Sequence, residues 1–230
     1  MNDEYVNDTL IEFEFEISIV RILENMFLPS RINIRGQVFP QDEATEEEIE
    51  LAFVKIDYWF DRVVSRSIAF CQSNNAALGM VLSNTGLNKT GNMLLVTPGD
   101  PVDQHLAVLF QAKMKSLSAG SLNIGPVRVE SDSVTGLAFT FIGDYKDSLP
   151  SMDEWVGTRN YFENPWWERD DASTLDVRPG PDADLNDIPS WAYKLDFLMK
   201  STNNEPLPPA TATILRPFKP KIIDGGKKGD

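Results

Sequence analysis

The sequence is short of the residues on which most recognisable enzyme chemistry depends. It contains one cysteine, Cys71, and one histidine, His105, in 230 residues. A single cysteine excludes an intramolecular disulfide and a thiolate metal cage within one chain, and a single histidine excludes a two-histidine metal site. No activating group is identifiable near Cys71, and Asp103, which lies near His105 in the sequence, fits the first turn of a helix, where an acid is favourable without a catalytic task. We therefore expect a buried inert thiol, a histidine on a capped helix, no cofactor and no enzymatic activity.

The chain also has fewer basic residues than acidic ones, and it contains no long apolar run. It has 21 lysines and arginines against 35 aspartates and glutamates, which gives a formal net charge of -14. A field of that sign repels phosphate backbones and anionic membranes, so we expect no direct nucleic-acid binding. No apolar run approaches the roughly 20 residues that span a bilayer. The sequence predicts a protein without membrane contact, located in the cytoplasm or assembled there into a particle.

The clearest structural pattern is an unbroken alternation of apolar and polar residues from 11 to 19. It predicts a strand with one buried face and one acidic face. The acidic face consists of Glu12, Glu14 and Glu16. A short helix is expected over 20–28, before a second alternating run at 31–35. If the two strands are neighbours, the arginines at the ends of the second run neutralise part of the glutamate row; otherwise that row stays in water or meets a basic partner.

Two amphipathic helices are predicted further along the chain. Thr45 and Glu48 form a capping-box signature, and an apolar stripe follows to about Phe70. Asp100 and Pro101 are the expected N-cap and first residue of the second helix. Further strands are expected at 77–82, 93–96, 127–130 and 137–141. The predicted class is α+β, with a mixed, antiparallel-leaning sheet, the two helices on one face, and a Trp/Pro-rich extended arm.

The character of the chain changes near residue 150. Between 151 and 190 ten acids face three arginines, a net charge of about -7 (3 - 10), and prolines interrupt the segment. Prolines at that density prevent long helices and central strands. The sequence therefore predicts three parts: an α+β core domain over 1–149, an acidic aromatic arm with a short helix over 150–202, and a Pro/Lys-rich flexible tail over 203–230.

The arm carries tryptophans that need burial somewhere. Two adjacent tryptophans beside a proline cannot both point into one narrow core from an extended backbone, so one of them is a candidate anchor on a partner. Packing on the chain's own sheet is the alternative. The residues predicted to bind a partner are Trp155, Trp166, Trp167, Trp191, Arg216 and Lys219. The acids predicted to form an exposed surface, rather than a metal site, are Glu12, Glu14, Glu16, Glu168, Asp170 and Asp171.

Three functions fit these observations. The first is a non-enzymatic structural or assembly subunit of a larger complex, as in a virion, which docks through its C-terminal arm on other protein subunits, itself included. The second is an acidic inhibitor that mimics nucleic acid and occupies a basic groove on a defence or nucleic-acid-processing enzyme. The third, with the least support, is an enzyme that uses carboxylates and a metal. Binding through charge weakens in salt more than binding through buried tryptophan, which distinguishes the first two.

Overall fold

The computed structural model describes residues 10–24, 26–74, 94–132, 138–155, 162–176 and 221–222. The strands are β1 (Ile11–Leu23), β2 (Met26–Pro40), β3 (Ile68–Cys71), β4 (Leu94–Thr97), β5 (Leu122–Ser131), β6 (Phe139–Phe141) and β7 (Lys221–Ile222). The helices are α1 (Glu46–Tyr58), which continues as a π-helical turn (Trp59–Val64), α2 (Asp103–Leu117) and α3 (Met152–Trp155). Two 3-10 turns lie at Tyr145–Asp147 and Trp166–Glu168. Within these ranges, no helix is long and apolar enough to cross a membrane.

The strands form one mixed sheet in the order β4-β3-β1-β2-β5-β6, and β7 pairs with the start of β1. The pairs β1–β2, β2–β5 and β5–β6 are antiparallel, whereas the pairs β1–β3 and β3–β4 are parallel. The predicted α+β class and the mixed sheet are therefore confirmed. The helices pack on the face that carries Phe15, whose ring stacks on Phe60 with centroids 4.6 Å apart.

The alternating run that opens the chain is a strand, and it is longer than predicted. Phe13 and Ile17 are buried on the helix side, while the glutamates between them are exposed. The helix expected over 20–28 is wrong. Val20 and Ile22 pair with β3, and the β-branched side chains of both favour a strand. The chain turns only after β1, at Glu24, which has a φ of 48°.

The first predicted helix begins as expected and ends early. The capping box of Thr45 and Glu48 is present in both directions. The helix gives way to the π-helical turn and stops at Val64, and Arg66 turns the chain with a φ of 72°. The apolar run that follows is β3, not the last turn of the helix. Since β3 lies between β1 and β4 and is buried throughout, its sequence is continuously apolar and has no strand periodicity.

The second helix begins at Asp103, with Val102 as its N-cap, rather than at Pro101. Asp103 is buried and its carboxylate contacts the guanidinium of Arg21 at 2.6 Å. This tertiary ion pair fixes the first turn of the helix, so the local capping pattern gives a start that is too early. The strands expected near 93–96, 127–130 and 137–141 are present as β4, β5 and β6. The strand predicted at 77–82 and the helix predicted after Ser190 lie outside the described residues.

Candidate functional site

Helix α2 is buried on two sides, and this arrangement brings the predicted arm onto the core. Its sheet side packs on β5, and its other side is covered by the segment 162–176, here called the docked segment. Trp166 stacks on Trp59 with centroids 6.1 Å apart, and Trp167 meets Trp155 edge to face at 5.2 Å. The indole rings of Trp166 and Trp167 are fully buried. The docked segment therefore contributes to the chain's own hydrophobic core.

Lys113 holds the docked segment from the helix side. Its ammonium nitrogen Nζ donates to the carbonyl oxygens of Trp166 at 2.8 Å and Arg169 at 2.7 Å, and it lies 3.6 Å from Asp171 Oδ1. The side chain is completely buried. Burial lowers the pKa of Lys113 to about 7, although the Asp171 carboxylate acts in the opposite direction. Both the amine and the ammonium form can donate the two hydrogen bonds to carbonyls.

Asp176 closes the same network at the end of the docked segment. One of its carboxylate oxygens accepts from the Trp155 indole N–H and the Trp166 backbone N–H, each at 2.9 Å. The other accepts from Arg169 at 2.6 Å. Arg169 also lies 3.3 Å from Asp171. The buried carboxylate is thus satisfied by a cation and two neutral donors, as a charge in the interior requires.

The docked segment also covers the β4 edge of the sheet. Val96 N donates to Thr174 O at 2.9 Å, and the Thr174 hydroxyl donates to Leu94 O at 2.5 Å. The Trp166 indole N–H donates to Val96 O at 2.9 Å. Backbone groups that an edge strand would expose to other chains are therefore paired within the molecule.

These contacts correct the sequence-based assignment of partner-binding tryptophans. Trp155, Trp166 and Trp167 are buried against the chain's own helices, because the segment bends in a 3-10 turn and lets the adjacent rings pack on different neighbours. This is the alternative that the sequence left open. The other residues assigned to partner binding are Trp191, Arg216 and Lys219, and all three lie outside the described residues.

The acids of the docked segment do not form one exposed patch. Asp170 is exposed and lies 3.8 Å from Lys55. Asp171 is largely buried in the Lys113 network. Glu168 is half-buried beside Tyr145, and burial together with Glu168 raises the pKa of the Tyr145 hydroxyl to about 12. The exposed-surface prediction therefore holds here for Asp170 alone.

The sheet face opposite the helices is open and carries paired charges. Glu14 Oε1 accepts from Arg35 at 2.7 Å and from Asn33 at 2.8 Å, and these hydrogen bonds lower the pKa of Glu14. Glu16 lies 3.6 Å from Arg31. The predicted cross-strand pairing is confirmed, and the three glutamates, including Glu12, are exposed as expected. The open face alternates in charge and is not uniformly negative.

A groove of about 470 Å³ lies between the loop before α1 and the end of α2. Its lining combines carboxylates with apolar side chains, and includes Asp42, Glu43, Glu48, Leu51, Lys55 and Ser118. Glu48 is engaged in the capping box, and Lys55 is the one lysine in the lining. The described residues that line this groove include no histidine and no cysteine.

The two residues considered for catalysis have ordinary surroundings. His105 is exposed, and its Nδ1 lies 2.8 Å from the carbonyl oxygen of Asp100. Cys71 is buried at the end of β3, with Sγ 3.0 Å from the Ser73 hydroxyl and 3.7 Å from Pro98 O. In the part of the chain that the structure describes, no three histidines, cysteines or acids are placed to hold a metal ion.

Sequence reasoning missed the buried polar groups that organise this region. Arg21 and Lys113 both carried a detectable signal, because each occupies a core-facing position in its element. Arg21 falls on the apolar parity of β1, and Lys113 falls seven residues after Leu106 on the apolar stripe of α2. A charged residue on a buried face indicates a buried partner. No local pattern identifies Asp103 as the partner of Arg21 or Asp171 as the partner of Lys113.

No protein-family model matches the chain, and a search of curated proteins finds no significant relative.

Proposed function

We propose that the chain is a non-enzymatic structural or assembly subunit that binds other protein subunits, copies of itself included, through residues 177–220. The observation that carries the proposal is that both ends of this segment are attached to the core. Asp176, which precedes the segment, accepts hydrogen bonds from Trp155 in α3 and from Trp166 and Arg169 in the docked segment, and β7 begins at Lys221 opposite Glu12. Between these two points lie 44 residues (220 - 176 = 44).

The composition of residues 177–220 supports a binding role. It contains eight of the 15 prolines in the chain and the one tryptophan outside the core-packing group and the π-helical turn, Trp191. Prolines restrict the free chain, so less conformational entropy is lost when such a segment binds in an extended form. Tryptophan is enriched among the residues that dominate interface energies. We therefore assign the principal partner contact to Trp191, with Arg216 and Lys219 as charged contacts.

Assembly into a particle in the cytoplasm is part of this proposal. The nucleic-acid-mimic alternative needs carboxylates that lack local counter-charges. Since Glu14 and Glu16 each have an arginine partner, the open sheet face gives that alternative less support.

Sedimentation velocity on the full chain over a concentration series tests the proposal. We expect concentration-dependent association that persists in high salt, and Trp191→Ala should weaken it at least tenfold, because an anchoring tryptophan contributes about 2 kcal/mol or more. The melting temperature of this variant should equal that of the wild type.

Trp166→Ala is the matched control, because it removes a buried tryptophan of the docked segment. It should lower the free energy of unfolding by about 3–5 kcal/mol. A chain that stays monomeric at every concentration, with Trp191→Ala as destabilising as Trp166→Ala, would contradict the proposal and place Trp191 in the core.

A further inference from the structure

The groove between the loop before α1 and the end of α2 combines an apolar floor with an acidic rim. The floor is formed by Ala52 and Leu117, which are almost fully buried, and Leu51 beside them is 38% exposed. The rim includes Asp42 and Glu43, which are exposed on the loop before α1. A volume of about 470 Å³ is within the range of sites that enclose a ligand or a side chain.

The lining of the groove has more carboxylates than basic groups. It contains the acids Asp42, Glu43 and Glu48 and the base Lys55, which gives a formal charge of -2 (1 - 3). Lys55 lies 3.8 Å from Asp170, so an acid already compensates its charge. The ion pairs of the part of the chain that the structure describes do not involve Asp42 or Glu43. These two carboxylates are therefore available to a cation from outside the described residues.

The helix ends at the groove also favour a cation. Residues 117–121 at the C-terminal end of α2 line it, and that end of a helix carries partial negative charge. Lys115, the basic residue in the last turn of α2, lies over the Tyr145 ring. At the positive end of α1, the Glu48 carboxylate already accepts from the Thr45 N–H. An anion would thus meet carboxylates and the negative end of a helix, whereas a cation is attracted by both.

The surface beside the groove extends the contact area beyond that of a small molecule. Leu51 and Val54 are three residues apart in α1 and are therefore neighbours on its surface. Val54 is 51% exposed, and Glu47 and Glu50 beside it are also exposed. An exposed apolar pair with acids around it complements a protein segment in which basic residues alternate with apolar ones.

We propose that the groove is a docking site for an arginine side chain on a basic segment of a partner protein. The aliphatic stem of arginine packs on the apolar floor, as the stems of basic residues do on apolar surfaces. The guanidinium group reaches the carboxylates of Asp42 and Glu43, and its planar fork can bind a carboxylate through two parallel hydrogen bonds. The described residues of this site belong to α1, α2 and the adjoining loops. The interface is therefore distinct from the one assigned to residues 177–220 and does not depend on it.

Fluorescence anisotropy on the full chain, with a labelled peptide of alternating arginine and leucine, tests the site. We expect the peptide to bind at low salt and to bind more weakly as salt rises, because the rim carboxylates are exposed. A peptide with citrulline in place of arginine keeps the size of the side chains and removes their charge, so it should bind about tenfold more weakly or worse. Equal binding of the two peptides would overturn the proposal.

Asp42→Asn combined with Glu43→Gln removes the two rim carboxylates and should weaken binding of the arginine peptide by about tenfold or more. The melting temperature should change little, because both side chains are exposed. Glu12→Gln combined with Glu16→Gln is the matched control, because it removes the same charge from the open sheet face. This control should change binding by less than about twofold. An equal loss in both double variants would show that the peptide responds only to net charge, and would overturn the site.

Two further measurements identify the kind of occupant and separate this site from the function proposed above. N-acetylarginine amide should bind about tenfold more weakly than the peptide or worse, because it does not cover Leu51 and Val54. Equal affinity would make the occupant a small cation and overturn the assignment to a protein partner. Trp191→Ala should bind the peptide as the wild type does, even where it no longer self-associates. Loss of peptide binding in Trp191→Ala would contradict the independence of the two interfaces.

Discussion

Two groups of ion pairs differ in what they join: one group is made by α2 in the interior, and the other lies between β1 and β2 on the open face of the sheet. Arg21 and Asp103 are buried and 82 residues apart in sequence. Glu14 and Arg35 are about half-exposed and lie on neighbouring strands of one hairpin. The interior set connects separate parts of the fold, whereas the exposed set connects residues that the hairpin already holds together.

The difference in solvent sets how much each pair matters. A buried charge that loses its partner has no water to replace it, so breaking such a pair costs about 3–5 kcal/mol. An exposed pair exchanges its partner for water and salt ions, and typically contributes less than about 1 kcal/mol. The chemical groups are similar in the two sets. Burial, rather than charge alone, therefore decides which pairs specify the fold.

The largest expected effect comes from the interior pair at the start of α2. Arg21→Met removes the guanidinium that contacts Asp103, Ser30 and Ser131, and it leaves the Asp103 carboxylate buried. We expect the free energy of unfolding to fall by about 3–5 kcal/mol in urea titrations. Arg31→Met on the open face is the control and should cost less than about 1 kcal/mol.

A double-mutant cycle sharpens this prediction. Arg21→Met combined with Asp103→Asn removes both charges, so the double variant should be more stable than the sum of the two single effects predicts. Additive effects would mean that the two side chains act independently, and the interior pair would then resemble the exposed ones.

An intermediate effect is expected for the pH dependence that Lys113 confers. Its pKa is about 7 in the folded chain and 10.5 when exposed, so between these values the unfolded chain binds the additional proton. The free energy of unfolding contributed by Lys113 therefore rises with pH from about 7 to about 10, by at most about 1.4 kcal/mol per pH unit. Below pH 7 the lysine is protonated in both states and contributes no slope.

Lys113→Met isolates this contribution, since other groups titrate equally in both proteins. The stability difference between wild type and Lys113→Met should change with pH between 7.5 and 9.5, in the direction of a relatively more stable wild type at higher pH. Lys115→Met, which removes a lysine beside the Tyr145 ring, should show no such change in this range. A pH-independent difference for Lys113→Met would show that its ammonium form is as stable inside the fold as in water.

The parts of the fold that could be predicted from sequence are those that local patterns determine. The alternation of β1, the Thr45 capping box and the glutamate–arginine pairing all depend on residues close in sequence or on adjacent strands. The continuation of β1 through Val20 and the buried strand β3 could not be predicted, because partners from distant parts of the chain stabilise them.

The candidate site was less predictable than the fold for the same reason. Trp166 and Trp167 appeared unable to share a core because an extended backbone was assumed. The bend at these residues is held by Lys113 and Asp176, which are 53 and 10 residues away from Trp166. Proline and acid content correctly excluded long helices from the segment. They gave no information about a network whose members are far apart in sequence.

The smallest expected effect is on the open face, and it completes the comparison. Glu14→Gln keeps the size of the side chain and can still accept a hydrogen bond, but it removes the charge opposite Arg35. We expect a loss of about 0.2–1 kcal/mol at pH 7 and low salt, because both partners remain hydrated, and almost none in high salt.

The pKa of Glu14 is lowered by its hydrogen bonds from Asn33 and Arg35, so its contribution to stability is complete above the unfolded pKa of 4.5 and is lost as the pH falls through the lower folded value. Urea titrations of wild type and Glu14→Gln at pH 7 and near pH 3, each at two salt concentrations, measure this. A loss of unfolding free energy as large as that of Arg21→Met, or one that persists in high salt, would mean that a bound segment shields the open face. The exposed and the interior ion pairs would then not differ in burial.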